Sequence, residues 1–326
     1  MTFLSIAADE FERLIAPYSL EGSVVVSVSG GSDSLALTLL MQEWAISRNV
    51  KVIGITVDHE LRKESAKEAV LVHQWLQQRG IEHHTLVWHH SNLTSALQQK
   101  ARNARYELLY DWCVSHKVSA LLTAHHLQDQ WETFLMRLGK GSGLTGLCGI
   151  KSECSINGLR LIRPLLQVMP ERLKKTLERF EQPFLNDPSN HQLKYTRVRM
   201  RGLLSCLSAE GISPETIEQV QKRFQLTQDY LQHQLKIVMA ECVVENRIYL
   251  SFFKTLHKEI AYRLLQHLLL TTGKHIYPLP HKSLERLYDK IIKHDFVGAT
   301  AGGCFLKRSK GGWIEIKAEV RPLINK

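Results

Sequence analysis

Val24-Val25-Val26-Ser27-Val28 is a β-branched run that stops at Ser29-Gly30-Gly31-Ser32-Asp33-Ser34, and helical apolar spacing from Leu35 to Trp44 follows at once. A short strand apolar on consecutive residues is buried on both faces. Both faces of a sheet are buried only when helices cover them, so this junction calls for a strand–helix–strand architecture. The pattern recurs. Strands are predicted at Lys51 to Val57, Ile81 to Val87 and Ala120 to Thr123, with helices at Glu64 to Gln78, Ser95 to Val114 and Gln128 to Leu138. The fold class is therefore α/β, a Rossmann-like parallel sheet. Ligands of such sheets sit at the carboxyl ends of the strands. The loops after Val28, Val57 and Thr123 then open on one edge, and they carry the least ordinary polar residues of the chain.

The loop after the first strand is built for an anion. Gly30 and Gly31 let the backbone turn tightly. The N–H groups and the positive end of the following helix then favour negative charge, and Ser29, Ser32 and Ser34 supply hydroxyls. An ordinary capped glycine turn would share the glycines and the serine. The whole hexapeptide after an apolar strand is more specific than a glycine turn capped by Ser or Asp, and Asp33, which would repel phosphate, makes sense if a Mg²⁺ lies between them. No Gly-Lys-Ser/Thr ends the loop, so it is not a Walker A motif.

The second half reads differently. Leu159 to Pro164 could add a strand, and Pro170 to Phe180 is a helix with Pro at its start. Pro214 to Val244 is one long or broken helix, followed by helices at Leu256 to Leu270 and Lys282 to Ile292. Phe296 to Lys307 and Trp313 to Lys317 suggest a hairpin around Gly311-Gly312. A boundary near Gly211 to Pro214 gives a first domain over 1–211 and a smaller, mostly helical one over 212–326. Charge follows a similar division. Residues 1–150 hold 13 Lys/Arg and 15 Asp/Glu, whereas 151–326 hold 29 and 17. A basic back half points to nucleic acid or another anionic surface. Arg197, Arg199 and Arg201 would share one face if extended and fan out in a helix.

No apolar run is long enough for a membrane span, and Met1 to Glu10 lacks a cationic leader. The six cysteines are scattered without a Cys-x-x-Cys pair, which argues for reduced thiols, a cytoplasmic setting and no iron–sulfur chemistry.

Further motifs stand at the other strand ends. Val57-Asp58-His59-Glu60-Leu61-Arg62-Lys63-Glu64-Ser65 follows the second strand. Ala101-Arg102-Asn103-Ala104-Arg105-Tyr106 lies on the long helix, and Thr123-Ala124-His125-His126-Leu127-Gln128-Asp129-Gln130-Trp131-Glu132-Thr133 follows the fourth strand. Gly141 to Leu147, Arg163-Pro164-Leu165-Leu166, Asp187-Pro188-Ser189-Asn190 and the three alternating arginines complete the order. The first loop resembles that of the PP-loop ATP pyrophosphatases. The whole set, over about residues 22–201, resembles the bacterial tRNA(Ile)-lysidine synthases within that superfamily. The C-terminal part is similar only as a basic domain with a Gly-Gly-Cys-Phe-Leu turn, and it resembles the shorter class with a single such domain. The family usually has Asp-Asp-Gln where this chain has Gln128-Asp129-Gln130; the aspartate the family uses in catalysis is retained as Asp129.

That resemblance implies ATP and Mg²⁺ as cofactors, and L-lysine and a tRNA(Ile) with a CAU anticodon as partners, with no membrane. A homodimer is compatible with it. It implies ligation of lysine to C2 of cytidine 34, changing the codon read from AUG to AUA. Ser29 to Ser34 would bind ATP, with Asp33 on the metal. Arg105, His125 and Asp129 would join Asp33 in catalysis, His125 and Asp129 sharing a helical face. Asp58, His59, Arg62 and Glu64 would line an ATP or lysine pocket, and Arg197, Arg199 and Arg201 would meet tRNA. The histidines at 83–84 and 89–90 match no motif and are expected at the surface. Three rivals make different demands: a tRNA thiolating enzyme needs paired cysteines, a metabolic amide synthetase needs no basic tail, and a non-catalytic RNA-binding protein would have lost the loop.

Overall fold

The computed structural model describes residues 3–62, 64–90, 97–156, 158–186, 192, 194–273 and 278–319. Lys63, Ser95 and the Asp187–Asn190 motif lie outside the described residues. The chain divides into two compact units, Met1–Phe224 and Gln225–Lys326.

The first unit holds strands β1 (Gly22–Ser27), β2 (Val50–Asp58), β3 (Glu82–Val87), β4 (Ala120–Leu122), β5 (Glu153–Ile156) and β6 (Leu159–Ile162). Its helices are α1 (Ala8–Ile15), α2 (Ser32–Ala45), α3 (Ser65–Gln78), α4 (Leu97–Ser115), α5 (Leu127–Leu138), α6 (Leu144–Leu147), α7 (Pro170–Arg179), α8 (Thr196–Gly202) and α9 (Leu204–Ala209). The sheet order is β3-β2-β1-β4-β6-β5, parallel except for the β5 edge. Val24 and Val26 point into one core with α1, α2, α3 and α7, and Val25 points into the other with Leu109 and Cys113 of α4. Consecutive valines are needed because both faces are dry.

Strand order reverses between β1, which pairs with β2, and β4 on its other side. The chain leaves these neighbouring strands for helices of different segments, which opens a crevice at their carboxyl ends. This crevice receives the loops after Ser27 and Leu122.

His83 departs from the surface position expected of it. Strand alternation turns it inward, opposite Gly54 of β2. A side chain at Gly54 would meet His83 Cδ2 at 3.2 Å and Leu76 Cδ1 at 2.8 Å, so the glycine makes the room. The imidazole bonds Thr56 Oγ1 at 2.9 Å through Nε2 and His73 Nδ1 at 3.2 Å through Nδ1. Burial, then the neighbouring His73 and His84, pulls its pKa down to about 4. His84 and His89 instead meet Glu82 and Glu60 at the surface, and His90 is half-buried.

Helix α10 (Pro214–Cys242) begins at the expected boundary, and the division between units falls within it, after Phe224. The second unit adds β7 (Val243–Val244), β8 (Arg247–Tyr249), α11 (Leu250–Thr255), α12 (Lys258–Gly273), α13 (His281–Ile291), β9 (Gly298–Ala301), β10 (Cys304–Arg308) and β11 (Trp313–Ala318). Its five strands form an antiparallel sheet, β7-β8-β11-β10-β9. The expected Phe296–Lys307 strand is broken by Gly302 and Gly303, both at positive φ, which fold β9 back on β10. Among the described residues no helix is long and apolar enough to cross a membrane.

Candidate active site

The loop after β1 is fixed by its own serines. Ser34 Oγ donates to the Gly31 carbonyl at 3.1 Å and accepts the Ser29 N–H at 3.1 Å. Ser34 is buried, so its hydroxyl shapes the loop. Gly30 has φ +80°, and a Cβ there would strike Leu185 Cδ1 at 2.5 Å and Val72 Cγ2 at 2.8 Å. The N–H of Leu185 donates to the Gly30 carbonyl at 2.8 Å and holds the turn from outside. The N–H groups of Ser32, Asp33 and Ser34 precede the first helical bond of α2, from Leu35 N–H to the Gly31 carbonyl. They form the anion-binding end of the helix.

The loop after β4 brings acid and base groups to the same place. Thr123 N–H continues the ladder to the Ile162 carbonyl, and its hydroxyl bonds His125 Nδ1 at 2.9 Å. Helix α5 starts only at Leu127, with His126 as its extended N-cap. His125 therefore lies outside the helix, and the shared helical face expected for His125 and Asp129 does not form. The cap geometry replaces it. Asp129 Oδ2 accepts the His126 N–H at 3.0 Å, while the Asp129 N–H donates to the His126 carbonyl.

This cap aims His126 across the crevice. Its Nε2 stands 3.6 Å from Asp33 Oδ2 and 3.7 Å from Asp129 Oδ2, joining the two loops through one buried imidazole. Burial alone would lower its pKa, but Asp33, Asp129 and Glu132 outweigh burial and raise it. Asp129 moves the other way. Burial opposes its charge, yet His126, His125, the His126 N–H and Arg197 hold it below the usual carboxylate range. His125 is kept neutral, first by burial and then by Arg163, Arg102 and Arg197, which together outweigh the pull of Asp129.

The alternating arginines fan out, because they lie in α8. Arg197 acts on His125, Asp129 and Arg105 through its charge. Arg199 donates to the Lys194 carbonyl and the Thr196 hydroxyl. Arg201 reaches the fully buried Glu132 at 2.9 Å and ties α8 to α5. Glu132 Oε2 is buried without a partner. Arg105 stands over the Tyr106 ring at 5.4 Å, and burial followed by Arg102 and Arg197 lowers its pKa, with Tyr106 opposing.

The residues after β2 divide. Asp58 is a buried turn former: its Oδ1 accepts the Glu60 N–H at 2.9 Å and its carbonyl the Trp88 N–H at 2.8 Å. His59 packs edge-on against Trp88 and accepts a bond from His90 through its carbonyl. Burial first, then the charge of Arg105, lowers its pKa, so His59 is the member of this group electrically joined to the crevice. Arg62 pairs with Glu68, and Glu64 is exposed at the start of α3.

Of the residues that the sequence named, Asp33 and Asp129 meet at His126 and His125 feels the charge of Asp129, whereas Arg105 is linked to them through the charge of Arg197. Sequence reasoning passed over His126, Glu132, Arg102 and Arg163. All four stand inside the quoted motifs, but a motif does not say which of two adjacent histidines the cap turns inward.

The donor set suits a Mg²⁺ that depends on its substrate. Asp33 and Asp129 present carboxylate oxygens on either side of the crevice, beside the anion-binding loop. Among the described residues no three His, Cys, Asp or Glu could cage a metal by themselves. Mg²⁺ commonly takes one or two carboxylates and completes its shell with phosphate oxygens and water.

A PP-loop domain family profile matches residues 4–206. The chain is similar to the tRNA(Ile)-lysidine synthase of Wolbachia pipientis wMel, with 36% identity over 293 residues, 87% of this chain and 68% of that protein. It is 35% identical to the tRNA(Ile)-lysidine synthase of Orientia tsutsugamushi strain Boryong, covering 88% of this chain and 67% of the relative. Among solved structures, the U34-tRNA thiolase NcsA of Methanococcus maripaludis, with its [4Fe-4S] cluster, shares the fold. Its TM-score is 0.57 at 18% identity, over 66% of this chain and 77% of that one. The six cysteines here form no disulfide and are scattered along the chain.

Proposed function

The chain belongs to the PP-loop domain family and, within it, to the tRNA(Ile)-lysidine synthases, and from that premise we propose that it joins L-lysine to C2 of cytidine 34 in a tRNA(Ile) with a CAU anticodon. The observation that carries this reading is the meeting of Asp33, His126 and Asp129 between the anion-binding loop and the β4 loop.

The chemistry has two obstacles. The C2 carbonyl of cytosine is a poor electrophile, and its oxygen is a poor leaving group. Attack of that oxygen on the α-phosphorus of ATP releases pyrophosphate and leaves an adenylated C2. The lysine ε-nitrogen then bonds to C2, loses a proton, and AMP departs with the oxygen. The second obstacle is the amine. Neutralising a group of pKa ~10.4 at pH 7 costs about 4.6 kcal/mol.

Ser29 to Ser34 hold the phosphates on the free N–H groups of α2. Asp33, with Asp129 across from it, would hold Mg²⁺, which neutralises phosphate charge when bound. The His126 imidazole, with its Nε2 3.6 Å from Asp33 and 3.7 Å from Asp129, spans the two carboxylates. Arg105 stabilises charge gathering on the base or the α-phosphate. His125, neutral, and Asp129, ionised, accept hydrogen bonds from the lysine ammonium; one proton passes to this pair first and frees the nitrogen lone pair, and a second leaves the nitrogen as the bond to C2 forms and AMP departs. Asp58 shapes the turn that presents His59 to ATP or lysine, with Arg62 and Glu64 at its rim. Arg197 and Arg199 meet tRNA phosphate, and Arg201 fixes the helix that carries them. A cytoplasmic setting, where tRNA is modified, and a homodimer are compatible with this reading.

The test is incubation with ATP, Mg²⁺, labelled lysine and tRNA transcripts. Label enters only the transcript with C34 in a CAU anticodon, and AMP is released in equal amount. Incorporation without RNA overturns the proposal.

A further inference from the structure

We propose that the outer face of the C-terminal sheet is a platform that stacks unpaired bases of the RNA substrate. The inference rests on the reading of the chain as a tRNA-modifying enzyme and adds where that RNA is held.

The sheet is dry on one face only. Ile248, Cys304, Leu306, Ile314 and Ile316 point into a core with α12 and α13. Alternation sends Arg247, Tyr249, Trp313, Glu315, Lys317, Phe305 and Lys307 to the other face. Trp313 lies opposite Tyr249, Phe305 opposite Lys317, and Glu315 opposite both Arg247 and Lys307. The Tyr249 and Trp313 rings stand 5.2 Å apart, and the Arg247 guanidinium lies 6.0 Å from the Trp313 ring. Tyr249 is 43% exposed and Phe305 44%.

Three aromatic rings on the solvent side of an antiparallel sheet form an apolar patch that invites self-association unless a partner needs them. The residues between them identify the partner. Arg247 pairs with Glu245 on the β7–β8 turn at 3.1 Å and Lys317 with Glu315 at 3.0 Å, both cations keeping solvent access, and Lys307 lies opposite Glu315. Lys310 stands on the turn into Trp313. Arg247 also keeps a buried Nε without a partner. The unit from Gln225 onward carries 16 Lys/Arg against 9 Asp/Glu. The centres of protein interfaces are depleted in lysine. Aromatic rings interleaved with cations on an open sheet fit bases stacked on the rings and phosphates beside the cations.

The probe is a single-stranded ten-nucleotide uridine RNA, beside an RNA duplex of equal length and a tRNA transcript, each titrated onto the full chain. The single strand binds more tightly than the duplex and quenches tryptophan fluorescence. Trp313→Ala or Tyr249→Ala weakens single-strand binding roughly 5- to 100-fold. Trp313→Phe keeps most of the affinity, which separates stacking from damage to the fold, and circular dichroism verifies each variant. Unchanged affinity in folded Trp313→Ala, a preference for the duplex, or self-association through this face on sedimentation overturns the platform. Oligonucleotide binding needs neither ATP nor lysine. Loss of lysine incorporation with intact, Trp313-dependent binding would therefore overturn the catalytic reading alone. Unchanged tRNA KM in Trp313→Ala would overturn the platform alone.

Discussion

The two sheets of this chain place chemistry in opposite ways. The parallel sheet of the first unit is buried on both faces, so apart from the internally satisfied His83–Thr56–His73 cluster its polar groups gather where its strands end. The antiparallel sheet of the second unit is buried on one face, so its polar and aromatic groups lie across the other. The first arrangement makes a narrow crevice that fixes a few side chains to within a hydrogen bond. The second makes a broad, shallow surface that can bind but cannot position. On the readings proposed above, reaction chemistry belongs to the first, and RNA grip to the second.

The sharpest way to break that division is Asp33→Ala. If the strand-end crevice is where ATP reacts, pyrophosphate release in the presence of tRNA falls by roughly a hundred- to a thousandfold, the scale of losing one strong electrostatic contact. Affinity for tRNA measured without ATP should not move. Near-normal pyrophosphate release would place the reaction elsewhere.

A second test concerns the dry face of the parallel sheet. The folded pKa of His83 is about 4, below the ordinary 6.5 of an unfolded histidine. The unfolded chain therefore binds the proton first, and stability is lost as pH falls from about 6.5 towards 4. The loss reaches about 3 kcal/mol at pH 4. Urea denaturation of the chain and of His83→Gln across this range measures it. The variant should be flatter with pH; parallel curves would mean that water reaches this face.

Arg201→Ala should cost about 2 kcal/mol, less than a fully buried pair, because Arg201 keeps some solvent while Glu132 has none. Glu132→Gln added to it should return most of that stability by removing the stranded charge. Thermal melts of the single and double variants decide the matter.

The strand ends were far more legible in the sequence than the open face. Valine runs and glycine loops announce a two-sided parallel sheet, because both features answer to strong constraints. Strands β7 and β8 follow the long α10 helix with no breaker before Val243, and β7 is only two residues long. Their turn uses Glu245 at φ 57°, a position that composition does not advertise. The crevice was legible by residue type but not by orientation. His126 owes its role to being an N-cap, and His83 owes its burial to facing Gly54 across the register.

The smallest expected effect tests the open face most directly. Lys317 pairs with Glu315 at 3.0 Å while remaining 68% exposed. An exposed pair of this kind contributes little, so Lys317→Gln should change stability by less than about 0.5 kcal/mol. The same lysine, if it meets a phosphate, releases a counterion on binding. Its loss should weaken RNA binding evenly across sequences and reduce the slope of log affinity against log salt by about one. Filter binding over a salt series reads the slope, and a urea melt reads the stability. A stability loss well above that bound would mean the face is packed against something within the chain. An unchanged slope with unchanged stability would leave the outer face without an anionic partner at this position, and the contrast between the two sheets would then rest on the aromatic rings.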